Sequence, residues 1–303
     1  MSDKSVDQSA VRSALGLLWR SLVVALGYTV AVIIVGILAQ ILGLPTGLVP
    51  TGVDQTQMLM GTFLAGLLVS LTLGPLTRRL TLPTAQRAVL LFVLLFMLSS
   101  VINFVETLFF TTTPVAEQVT GVVTSGVGYV GLALLLALLF RPEVVERGLL
   151  TALRESLGQR GWTSWTWRFL LAGFLGMPIY LFFGLLVSPI VVPYYDGLGL
   201  ELVIPGFRII LSLAVFRGLL NVLTLFPLVA VLRGSRRSVA FWVILTLAVL
   251  AAWAPLLSVT WWPVTLRLAH GLEITADSIV HGLIIVWLLW RPAVGGRAEP
   301  GEL

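Results

Sequence analysis

Leu266–Trp290 reads LRLAHGLEITADSIVHGLIIVWLLW. A helix rises about 1.5 Å per residue, so a stretch of this length crosses the ~30 Å apolar core of a bilayer. His270, Glu273, Asp277 and His281 lie inside the apolar run, with Arg267 at one end. Each helical residue turns by about 100°, so spacings of three, four and four keep these four side chains within roughly 80° of one another. Lipid does not solvate ionisable groups, so the stripe must face protein or water. The segment predicts a membrane span with a polar inner face, and other spans for that face to lie against.

The rest of the chain supplies them. The 303 residues are 58% hydrophobic and 11% charged, with a mean hydropathy of +1.02, outside the range of soluble globular domains. Eight apolar spans are predicted, at about 17–42, 58–77, 88–110, 119–140, 166–191, 206–231, 239–259 and 266–290. The first, about Leu17–Leu42, is too long for a signal-peptide core and reads as an anchor. Cysteine is absent, which excludes disulfides, thiolate metal sites and thiol nucleophiles. The net charge of +5 comes with 18 Arg and one Lys. In a membrane protein such a balance points to loops against anionic lipid and not to nucleic acid.

Charge alternates between the loops. Lys4, Arg12 and Arg20 precede or open the first span, and Arg78, Arg79 and Arg87 precede the third. Arg141, Arg147, Arg154, Arg160 and Arg168 precede the fifth, and Arg233, Arg236 and Arg237 the seventh; the tail holds Arg291 and Arg297. The other four loops hold Asp54, Glu117, Asp196 and Glu201, with only Arg208 and Arg267 near their edges. The positive-inside rule then places both termini in the cytoplasm of a plasma, bacterial-type inner membrane. Trp261, Trp262, Tyr194 and Tyr195 are expected as interfacial aromatics at the outer boundary.

The chain also repeats itself. Gly66–Leu76 reads GLLVSLTLGPL and Gly218–Leu228 reads GLLNVLTLFPL, matching at eight of eleven positions. Trp19-Arg20 parallels Trp167-Arg168, Arg141-Pro142 parallels Arg291-Pro292, and Ala10–Gly16 parallels Ala152–Gly158. The expected fold is an all-α integral membrane protein whose eight transmembrane helices form two parallel four-helix repeats, 1–142 and 143–303. Each repeat opens with a cytoplasmic amphipathic helix. In the second, Glu143–Arg160 sets Val145, Leu149, Leu153 and Leu157 on one face. An even number of spans per unit runs both copies in the same sense, related by an axis along the membrane normal.

The halves differ in their last spans. Aligning the Arg-Pro ends sets His270, Glu273, Asp277 and His281 opposite Thr120, Val123, Val127 and Gly131, in a span rich in small residues that favour close helix packing. Other spans carry polar stripes: Ser99, Asn103 and Glu106 on the third, Arg217, Asn221 and Thr224 on the sixth. Counted along straight helices, Arg217 and Asp277 both lie about 16 Å below the outer boundary, and Glu106 about 6–9 Å, near His270 and Glu273. Arg217 is therefore expected to pair with Asp277, and Glu106 to face the His270/Glu273 level. Two carboxylates one turn apart repel, so Glu273, coupled to His270, is the expected proton carrier. Asn103, Asn221 and Thr224 are supporting polar groups. The leading expectation is a transporter or permease for a small molecule or ion, with a proton- or ion-linked site in the outer half of the membrane. Its partners would be the bilayer and that substrate.

Two other classes stay open. One is an intramembrane enzyme, although no catalytic residue is assigned and the balance leans away from catalysis. His270/Glu273 and Asp277/His281 have spacings that set two ligands on one divalent metal, but the histidines are about 16 Å apart along the helix and share none. No cofactor is expected. Ser125-Gly126-Val127 resembles the Ser-Gly stretch of rhomboid intramembrane proteases, over a few residues and with Val123 at the preceding glycine position. That resemblance implies a Ser125 nucleophile with His270 or His281 as base. The other class is a non-catalytic complex subunit or scaffold whose charged seam recruits a membrane protein partner.

Overall fold

A computed structural model describes residues 3–45, 52–195 and 202–291, with side chains of the first helix from Val11 onward. The described residues are helical, with no strand beyond an isolated bridge between Thr111 and Leu202. The helices are α1 (Asp3–Ile41), α2 (Gln55–Arg79), α3 (Thr84–Phe110), α4 (Val115–Leu139), α5 (Leu149–Gly158), α6 (Trp162–Val191), α7 (Phe207–Val231), α8 (Arg236–Ser258) and α9 (Val264–Leu289). Eight of them, all but α5, are long and apolar enough to cross a membrane. Asp196, Glu201, Arg297 and the Arg291-Pro292 match at Pro292 fall outside the described residues, as does the side chain of Lys4.

Local chemistry sets the ends. Pro83, Pro114 and Pro263 stand at the N-caps of α3, α4 and α9, where a missing N–H leaves no helical bond unmade. Asp54 caps α2 by accepting from Thr56 N at 2.8 Å. Gly234, at φ 120°, makes the tight turn from α7 to α8 in a conformation that a side chain disfavours. Arg87, expected in a loop, is instead buried at the start of α3. It donates to Leu82 O at 2.9 Å and to Ala137 O at 2.7 Å, fastening the α2–α3 turn to the last carbonyls of α4.

Two expectations about surface helices change. α1 runs unbroken from Asp3 into its span, so no separate amphipathic helix precedes it; the run Ala10–Leu18 contains no proline, and its single glycine, Gly16, does not interrupt the helix. In the second half Gln159–Gly161 interrupts the chain before α6, and α5 is separate but short. Val145 lies outside it and is exposed, while Leu149 and Leu153 pack on the core and Ala152 is buried.

Packing follows the same order in both halves. α1 lies against α2 and α4, and α3 against α4; α6 lies against α7 and α9, and α8 against α9. The halves meet where the ends of α3 and α8 cross α7 and α2, respectively. α2 and α7 are each 25 residues long. α3 and α8 each consist of 13 α-helical residues, a five-residue π-helical segment (Met97–Val101 or Val249–Trp253) and a final α-helical stretch. A π turn leaves a carbonyl without its usual partner. Ser99 O accepts from Asn103 Nδ2 at 2.8 Å, and Leu250 O accepts from Ser99 Oγ at 2.7 Å, across the boundary between the halves. In α8 the cause is Pro255, which cannot donate and crowds the preceding turn.

Candidate functional site

The ionisable face of α9 turns inward. Arg217 on α7 is buried and reaches two carboxylates: Nη1 donates to Glu106 Oε1 of α3 at 2.9 Å, and Nη2 lies 3.7 Å from Asp277 Oδ2. One turn along α9, His270 Nδ1 lies 2.9 Å from Glu273 Oε2. The Glu273, Asp277 and Arg217 side chains are 10%, 9% and 8% exposed, so lipid does not reach them, whereas Glu106 keeps 25%. Glu106 and Asp277 therefore share one permanent cation, and Glu273 is paired with His270, the one further member of the network that can carry positive charge.

Arg217 reaches Asp277, and its closest bond, not anticipated from depth along the helices, goes to Glu106. The π turn at Met97–Val101 inserts an extra residue, swinging the final stretch of α3 by roughly a quarter turn and carrying Glu106 toward α7.

Glycines bring α6 and α7 close enough to build this arrangement. A Cβ on Gly176 would stand 2.9 Å from the Gly218 Cα and 3.1 Å from His281 Cε1, so neither helix tolerates a side chain at the crossing. Arg217, next to Gly218, then lies with its guanidinium 5.3 Å from the ring centre of Tyr180 on α6. Gly184, one turn further, leaves space beside Glu273 Oε1. Above the network Val191, Leu202, Leu266 and Ala269 form a small apolar cap with Tyr194, Tyr195 and Trp262 against it. The Trp262 ring lies 6.4 Å from that of His270. These aromatics are half-buried in the cap and do more than edge the bilayer.

His281 is placed apart from the network's bonds. It is buried and its Nε2 lies 3.0 Å from Ala172 O, joining α9 to α6. Asn103 satisfies the π turn of its own helix, and Asn221 and Thr224 are buried on α7, Asn221 Oδ1 without a hydrogen-bond partner. Ser125 is half-buried on α4, which packs on α1 and α3, and no described hydrogen bond links it to either histidine. No group of three or more His, Asp or Glu that could hold a metal occurs among the described residues.

Tyr180 and Gly184 are not marked by sequence as site residues, because α6 carries no charge beyond Arg168, about three turns before Tyr180. A signal exists nonetheless. Carried along at the offset that sets Gly66 on Gly218, Tyr28 falls on Tyr180, Ala65 on Arg217 and Ser258 on Glu106. Tyr28, Ala65 and Ser258 do come together, lining a cavity of about 10 Å³ with Ser99 and Tyr129. A small space edged by hydroxyl groups thus stands where the related position holds the ion network, each lined by residues of both halves.

Comparison of the chain with family models, curated proteins and solved structures finds no match.

Proposed function

We propose that this multi-pass membrane protein is a proton-linked permease, with His270 and Glu273 as the exchanging pair and Arg217 as the fixed counter-charge. One observation carries the reading: Glu106 and Asp277 lie against a single guanidinium, and Glu273, one turn from Asp277, is paired with His270. Even with His270 charged, one negative charge is left over. An uncompensated charge deep in a helix bundle costs about 3 kcal/mol on insertion scales, so the network is completed by taking up a proton or another cation. Glu106, the most exposed member, is its outlet, and Tyr180 and Gly184 border the space beside Glu273.

The parallel lengths, π turns and packing of the two halves support the duplicated four-span unit read from the sequence, with 1–142 and 143–303 as its copies. Within that reading the charged site is built mainly from the second copy, with Glu106 contributed by the first. The arginine-rich ends support a plasma-membrane orientation with both termini cytoplasmic and the network in the outer half. His281 and Asn103 are assigned to packing.

A second reading, a static seam in a complex subunit, is favoured by the direct Arg217–Glu106 bond and by the two described cavities, both of which lie off the network. Proton entry into vesicles containing the purified protein, under an imposed pH gradient, separates the two. Permease function predicts entry faster than into protein-free vesicles and its loss in Glu273→Gln. Equal entry with and without protein sinks the permease.

A further inference from the structure

The largest described opening lies at the opposite, arginine-rich end. It is a cleft of about 600 Å³ where α5 meets the ends of α7 and α9, and Arg147, Arg233, Arg291 and Glu155 line it together with Leu289 and Trp290. Arg160 and Arg168 stand beside it and both donate to Leu288 O, at 2.6 and 3.1 Å. Carboxylates answer only part of this charge. Glu155 bonds Arg147, and Glu146 lies 3.1 Å from Arg233. Among the described residues no carboxylate pairs with Arg160, Arg168 or Arg291. Burial, followed by the neighbouring Arg168 and Arg291 cations, pushes the Arg160 guanidinium down to about 10. The Nε–H groups of Arg147 and Arg160 are buried without an acceptor. Three guanidiniums and one carboxylate thus line the space, with Arg160 and Arg168 beside it, an unfilled donor on Arg147, and an apolar wall of Val229, Leu232 and Leu289.

We propose that this cleft is a binding site for a phosphate group. Guanidinium forks match phosphate oxygens two at a time, which a halide cannot exploit. The cleft lies at the level where spans end, and Trp162 at the start of α6 is fully open to the surroundings, as headgroup-level tryptophans are. The same chemistry serves the phosphodiester of an anionic lipid or free phosphate.

Two arms on the purified full-length protein distinguish the sources. In native mass spectrometry of protein in micelles doped with phosphatidylglycerol or phosphatidylcholine, a lipid site retains the anionic lipid preferentially. In thermal unfolding, a free-phosphate site is stabilised by inorganic phosphate over chloride at matched ionic strength. Either result supports the site. Arg233→Gln combined with Arg291→Gln should weaken the effect about tenfold or more. Glu155→Gln, which frees Arg147 and leaves every arginine in place, should strengthen it, and this second variant does not depend on the first one folding. Absence of preference in both arms, or unchanged binding in both variants, overturns the proposal.

Discussion

Arg217 is the residue on which the interior most depends. It holds one carboxylate from α3 and faces another from α9, so a single guanidinium ties three helices together. Removing it leaves both acids buried without their cation, a loss of about 3–5 kcal/mol where a buried partner is taken away. Arg217→Gln should therefore lower the unfolding temperature sharply, and adding Glu106→Gln should recover part of the loss. If Arg217→Gln melts like the parent, the guanidinium does not hold the helices. His270, Glu273, Asp277 and His281 of α9 could be read from helical spacing because lipid forbids them an outward face. Tyr180 could not, since an uncharged aromatic in an apolar span is equally at home against lipid.

At the scale of helices, glycine decides how near the charges come. Gly173 and Gly176 on α6 meet Gly218 on α7 with backbones in contact. Gly218→Val has no room for its side chain and should cost about 1–3 kcal/mol, as overpacking does. It should also weaken proton entry by moving Arg217 away from Glu106; unaltered stability and flux would show that the crossing has slack. The spans themselves were legible, because a long apolar run has one structural solution in lipid. The π turns were not. Pro255 marks one of them, but Met97–Val101 contains no proline, and its register depends on Ser99 and Asn103 satisfying carbonyls, one on each side of the boundary between the halves. That one turn, invisible to helical periodicity, turns the end of α3 that carries Glu106 toward Arg217.

For the whole molecule, orientation and duplication are the open consequences. The chain lacks cysteine, so single thiols can be introduced and labelled directly. Gln55→Cys, at the start of α2, should react with an impermeant maleimide on intact cells, and Arg141→Cys, after α4, only after permeabilisation; the reverse pattern would invert the proposed topology. The shared fragments at Gly66 and Gly218 point to a repeat, yet the divergence that matters, a charged network around Arg217 and a hydroxyl-edged space around Ala65, needs three dimensions to see. The central claim is that this network works and does not merely hold helices together. Its most direct test measures unfolding temperature and proton entry on the same preparation of Glu273→Gln. The account predicts that entry falls to the level of protein-free vesicles while the unfolding temperature stays near that of the parent. Entry equal to the parent's, or lost only because the variant unfolds, would contradict it.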